Sequence, residues 1–181
     1  IDAKGNIVDH RIAESVINVD RRMSYTDVNK IITLKDPEKT EEYKDFVRMF
    51  LDMKEVADLL RAKRRKRGSI DFDFPETKVI LDDQGHPVDI KPYDRNPATK
   101  IIEDFMLAAN ETVAQDYFWQ EVPFVYRTHE NPDEEKIKKL STFINNFGYT
   151  LHIGSDEVHP KELQKLLSKI EGTEEEPLIS R

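Results

Sequence analysis

Apolar residues recur at helical spacing through three long stretches of the chain and alternate with polar residues in several short ones. From Thr40, residues Tyr43, Phe46, Val47, Phe50, Met53, Val56, Ala57 and Leu60 fall on one stripe. That is the 3.6-residue period of a helix burying one face. The stripe stops in Arg61 to Arg67, and Gly68 suits a C-terminal cap. A second long helix is predicted over Ala98 to Trp119, opened by Pro97. A third runs from Pro132 to Phe147, with Asn131 as its cap and Gly148 behind it.

Shorter elements lie between. Lys4-Gly5-Asn6 is turn chemistry, and Ile7 to Val19, mixing β-branched and polar residues, reads as a long strand. Ser24, with Asp27 three residues on, starts a helix reaching about Thr33, an acidic variant of the capping box. Asp36-Pro37-Glu38 reads as a break. Ile70 to Phe74 is a strand candidate. Lys78 to Leu81 and Val88 to Lys91 flank Asp82-Asp83-Gln84-Gly85 as a hairpin. Val122 to Tyr126 is a further strand candidate. A last helix runs from near Pro160 to about Glu171, and the Glu174-Glu175-Glu176-Pro177 tail is expected to be mobile. Strands meeting in hairpins rather than in βαβ alternation predict an α+β fold, antiparallel strands packed against several helices.

Composition changes this picture little. The 181 residues suffice for a sizeable core, with 38% apolar and 35% charged residues. The formal net charge of −8 argues against electrostatic binding of nucleic acid, unless the basic residues are concentrated locally. The run Arg61 to Arg67 is such a concentration; it either complements a helix C-terminus and faces water or grips phosphates. The absence of cysteine excludes disulfides, thiolate nucleophiles and cysteine-type zinc sites, and fits a cytoplasmic protein. No apolar run approaches the ~20 residues of a membrane span. No internal repeat, low-complexity tract or signal peptide is visible.

Candidate chemistry is sparse. Asp71 and Asp73 share a face of a predicted strand, but two carboxylates do not make a two-metal site, and a solvated strand face explains them. Asp82-Asp83 on a turn is a weaker pair. None of His10, His86, His129, His152 and His159 falls at metal-ligand spacing on a helix. Tyr25 sits at a helix start. Phe72, on a short strand, is most simply a core residue. Glu103 stands among Ile101, Ile102 and Phe105, where a glutamate commonly marks the helix boundary; Asn110, seven residues on, shares its side.

Four ordered segments carry a resemblance. They are Ala13 to Ile17 through Arg22-Met23-Ser24-Tyr25, Arg67 to Phe72, Arg95 to Glu111, and Phe124 to Pro132. Together they resemble the catalytic RNB domain of the ribonuclease II and ribonuclease R family, nearer the ribonuclease R pattern, over almost the whole chain. The resemblance implies a magnesium-dependent 3′→5′ exoribonuclease that degrades RNA processively to nucleoside 5′-monophosphates. It implies that Phe72 stacks on the base at the RNA 3′ end, since a ring face accepts any base. It further implies that Tyr25 and Glu103 contact the terminal nucleotides and favour ribose, whose 2′-hydroxyl DNA lacks.

The departures are as informative. The family's metal-binding aspartates and second stacking tyrosine are expected upstream of Ile1. The Thr-Ser-Pro-Ile-Arg-Arg stretch with its catalytic arginine is expected beyond Arg181, and the cold-shock and S1 modules lie outside the segment too. Residues 1–181 therefore read as the central part of an RNB domain, holding single-stranded RNA but no catalytic residue and no metal ligand, and inactive alone. A different class stays open: a non-catalytic RNA-binding or scaffold module of a degenerate relative.

Overall fold

The computed structural model describes residues 1–70, 77–92, 95–154 and 158–180, and among them the fold is α+β. Phe72, Asp71, Asp73 and most of the predicted strand Ile70 to Phe74 lie outside the described residues. The chain divides into two compact units, Ile1–Ala62 with Asp73–Phe124, and Lys63–Phe72 with Val125–Arg181.

The first unit is built on α1 (Tyr25–Asn29), α2 (Pro37–Glu42), most of α3 (Lys44–Arg67), the hairpin β1 (Thr77–Leu81) and β2 (Pro87–Pro92), and α4 (Pro97–Trp119). Ser24 caps α1 as its sequence predicts, its hydroxyl accepting from the Asp27 N–H at 3.1 Å. The helix widens into a π-helical turn at Lys30–Leu34 that ends on Lys35 at φ 52°. That wider turn carries Ile31 and Ile32 into a core shared with Phe50, Ala57, Ala98 and Ile101. Each large apolar side chain buried there contributes about 1.5–3 kcal/mol. Asn96 caps α4, its side-chain oxygen accepting from the N–H groups of Ala98 and Thr99, and Pro97 occupies the first turn, where its missing N–H costs nothing.

The second unit has its own core: Ile137 and Ile144 from α5 (Glu134–Asn145), Leu166 and Ile170 from α6 (Pro160–Ile170), Ile179 from α7 (Glu176–Ile179), and Leu151 and Val158 between helices. Apolar residues at i, i+3, i+4 and i+7 of α6 (Leu163, Leu166, Leu167, Ile170) make the stripe that packs here.

Several expectations require correction. Among the described residues Ile7 to Val19 joins no ladder; Val16 and Ile17 are 102% and 78% exposed. A strand exists only through pairing, and among the described residues this segment has no partner strand. Its ends are fixed otherwise. Asp2 closes the predicted turn by accepting from the Lys4 and Asn6 N–H groups, Gly5 sits buried over the Leu59 backbone, and His10 meets Asp116 at 3.1 Å. Val122 to Tyr126 is likewise unladdered, and Phe124 instead stacks on Tyr117 at 4.8 Å. Asp36-Pro37-Glu38 is a helix start, not a break, because Asp36 caps and Pro37 fits the first turn. The chain then kinks at Tyr43 before α3 begins. Asp133, not Asn131, caps α5 by accepting from the Lys136 N–H at 3.0 Å. The acidic tail is helical from Glu176, because Ile179 finds the core. The hairpin and the Gly68 cap stand where the sequence puts them.

Candidate RNA-contact site

Tyr25 is the first residue of α1 and is 46% exposed. Tyr25 lines a groove of about 680 Å³ whose walls come from Arg22 to Asp27, from Lys78, Ile80, Lys91 and Pro92 of the hairpin, and from Asn96 and Thr99 at the start of α4. On its other side Tyr25 borders a smaller apolar cleft of about 200 Å³ with Met23, Met49, Met53 and Ile102. The phenol therefore has one polar and one apolar neighbour surface, which suits a ring that packs while its hydroxyl hydrogen-bonds.

Glu103 stands on α4, one turn beyond Thr99, and α1 packs directly against α4. Its carboxylate is gripped by Arg95, whose Nη2 donates to Oε1 at 2.7 Å and to Oε2 at 2.8 Å, with Nε at 3.3 Å from Oε2. The side chains of Glu103 and Arg95 are 41% and 23% exposed respectively. Such a fork fixes the plane of the carboxylate and leaves lone pairs on both oxygens for a further donor. The structure thus places Tyr25 and Glu103 on two helices in contact. Thr99 lines the groove and Glu103 does not. Phe72 lies outside the described residues.

Spacing alone does not single out Arg95, Arg22 or the hairpin lysines. Arg95 reaches eight residues along the chain across the cap of α4, and no periodicity rule covers that reach. The lysines lie four residues before Asp82 and six after Gly85, and it is the register shift between Ile80 and Leu81 that brings Lys78 opposite Lys91.

Several other charged groups of this unit are committed locally. Asp27 accepts from the Ser24 hydroxyl at 2.8 Å and lies 3.7 Å from Lys39. The Lys39–Glu42 hydrogen bond holds the Glu42 carboxyl below its ordinary range and lifts the Lys39 ammonium above its own. Asp82, a candidate carboxylate, is used by its own turn, where backbone N–H donation from His86 and Gln84 depresses its pKa. Among the described residues no three His, Asp or Glu side chains converge as ligands of one ion would. The donor set among the described residues does not fit a magnesium site. Among the same residues no helix is long and apolar enough to cross a membrane.

The described residues form a helix-and-hairpin α+β fold with a clamped glutamate on α4 and an exposed tyrosine on α1, and the family model of the RNB domain matches residues 1–181. The chain belongs to the RNB domain family. It is 43% identical over 171 residues to ribonuclease R of Thermotoga maritima, covering 94% of this chain and 24% of that protein. With ribonuclease R of Aquifex aeolicus the identity is 39%, over 98% of this chain and 25% of the relative. Among solved structures, Mycoplasma genitalium RNase R in complex with ribose-methylated single-stranded RNA superposes with a TM-score of 0.72 at 25% identity, over 88% of this chain and 24% of that one. The same enzyme in complex with double-stranded RNA gives 0.73, over 88% and 28%. The chain thus spans about a quarter of the length of these relatives.

Proposed function

We propose that residues 1–181 are the central part of the RNB catalytic domain of a ribonuclease R-like 3′→5′ exoribonuclease, working in the cytoplasm on RNA with a single-stranded 3′ end. In this reading the whole enzyme hydrolyses RNA processively to nucleoside 5′-monophosphates with magnesium, whose ligands come from polypeptide outside this segment. The segment holds the end of the strand. Phe72 stacks on the terminal base, and Tyr25 and Glu103 hydrogen-bond the terminal sugars.

The observation that carries the reading is the forked Arg95–Glu103 pair on a helix packed against the helix of Tyr25. A carboxylate with fixed plane and spare lone pairs is an acceptor for a 2′-hydroxyl, and a phenol is both acceptor and donor. Neither can make that bond to DNA, so a preference for ribose follows from hydrogen-bonding chemistry.

The test compares the full-length protein with the isolated 181-residue chain on labelled RNA and on DNA of the same sequence. The full-length protein is expected to shorten RNA from its 3′ end in magnesium, and the isolated chain to leave it intact. Hydrolysis by the isolated chain would refute its assignment as a holding segment. An inactive full-length protein that still binds RNA would establish the degenerate scaffold instead. Phe72→Ala in the full-length protein is expected to weaken retention of the RNA end by about 1–3 kcal/mol, the value of a stacked base. Unaltered retention would remove Phe72 from the site.

A further inference from the structure

The chain carries a net charge of −8, yet the groove beside Tyr25 is lined by three cations, Arg22, Lys78 and Lys91, and one anion, Asp27. Asp27 is committed to the Ser24 hydroxyl and to Lys39. Lys91 has Asp89 at 3.3 Å on its own strand, but among the described residues neither Arg22 nor Lys78 has an ion-pair partner. Lys78 and Lys91 are register partners across the antiparallel hairpin, so their side chains leave the same face side by side. Like charges placed directly opposite one another weaken a hairpin. Among the described residues this hairpin is a two-stranded sheet. An anion with several charges placed between two adjacent ammonium groups relieves their repulsion and pairs with both.

We infer that Arg22, Lys78 and Lys91 form a cradle for consecutive phosphates of the RNA strand, so that the hairpin is an arm steering the backbone past Tyr25. This rests on the RNA-holding role proposed above and adds interactions of another kind. Tyr25 and Glu103 are assigned to sugars and give selectivity. The cradle grips charge, is blind to the sugar, and gives affinity and register. Asn96 and Thr99, whose side chains are tied into the cap of α4, form the neutral floor of the same groove.

The experiment measures binding of a short fluorescein-labelled RNA, and of DNA of the same sequence, to the full-length protein across about 50–200 mM salt, the range over which phosphate binding is resolved. EDTA is present throughout. The double variant Lys78→Gln/Lys91→Gln is expected to lower the slope of log K against log salt by about 0.7 for each ammonium group removed from a phosphate, hence about 1.4 in all. RNA and DNA are expected to weaken by the same factor. Lys78→Arg, which keeps the charge, is expected to keep the slope, and so separates a missing charge from a damaged hairpin. An unchanged slope in the double variant, with wild-type binding intact, overturns the cradle and leaves the sugar contacts standing. A weakening confined to RNA also overturns it, since phosphates are common to both strands. Absence of salt-dependent RNA binding by the wild type would overturn the holding role and the cradle together.

Discussion

Arg61 and Asp104, 43 positions apart in the chain, are joined by a 2.5 Å hydrogen bond from a guanidinium Nη2 to a carboxylate that is 2% exposed. Asp104 is the neighbour of the proposed sugar contact Glu103, so this bond ties the body of α4 to α3 at the level of the site. A buried ion pair is costly to assemble, but it is far more costly to break from one side. Asp104→Ala leaves the partly exposed Arg61 guanidinium with the weaker Asp58 contact at 3.7 Å, and is expected to destabilise the protein by about 1–3 kcal/mol in urea denaturation followed by circular dichroism. Replacing both residues with apolar groups, Arg61→Met/Asp104→Leu, is expected to recover most of that stability. A double variant as unstable as the single one would show that Asp104 acts through other partners.

The Arg95–Glu103 fork gives a separate prediction, because Arg95 positions a contact without making it. Arg95→Lys keeps the charge but removes the planar donor pair that fixes the carboxylate. In the full-length protein it is expected to leave affinity for DNA unchanged while reducing affinity for RNA about 5–20-fold. That corresponds to the loss of one charge-assisted hydrogen bond, about 1–2 kcal/mol. Equal weakening of both nucleic acids would assign Arg95 to the phosphates.

What is legible in the sequence divides along the range of the interactions. Ser24, Asn96, Pro97 and Gly68 act within a few residues, and their elements start and stop where those residues dictate. The long stripes of α3 and α4 are legible for the same reason. Ile7 to Val19 is not, because its composition suits a strand while strand formation depends on a neighbour elsewhere in the chain. The basic run shows the same limit. Arg61 reads as the first of a series of solvated charges, yet its guanidinium turns onto Asp104, a residue that composition and spacing give no reason to notice. Only family resemblance points to Tyr25 and Glu103. Their common setting, two helices in contact with Arg95 fixing one side chain, is information that only tertiary structure holds.

The hairpin turn supplies a pH prediction. Asp82 Oδ1 accepts from the N–H groups of Gln84 and His86, each at 2.9 Å, and this donation, led by His86, depresses its pKa. A depressed carboxyl stabilises the fold at pH values above its unfolded pKa, and that contribution fades as pH falls through the folded value. The hairpin is therefore expected to loosen only below about pH 4, the ordinary aspartate range. Amide hydrogen exchange at Gln84 and His86 is expected to speed up there, beyond the intrinsic pH dependence of exchange. Asp82→Ala should show that fast exchange at neutral pH with no further acid transition. An acid transition persisting in the variant would assign it to another group.

The end of α3 offers the sharpest packing test. Gly68 holds φ at 103°, a backbone region side chains rarely adopt, and a Cβ placed there would lie 3.0 Å from the backbone nitrogen of Lys161. The obstacle is main chain in the first turn of α6, so it cannot swing aside as a side-chain tip would. Gly68→Ala is expected to destabilise the second unit by about 1–3 kcal/mol, the cost of a strained backbone position. Three residues further along α6, the Gln164 amide donates to the carbonyls of Arg65 and Ser69, at 3.0 and 2.8 Å. Gln164→Ala removes both bonds and is expected to cost about 1–3 kcal/mol, at about 0.5–1.5 kcal/mol each. The two sites share one backbone segment, so their effects should not add. A shift of residues 68 and 69 away from Lys161 also carries the Ser69 carbonyl out of reach of Gln164. The double variant is therefore expected to be less destabilised than the sum of the singles, measured by hydrogen exchange at the core amides of Ile144 and Ile170. Strict additivity would show that Gly68→Ala is accommodated by movement of α6 at Lys161 with the Ser69 carbonyl left in place.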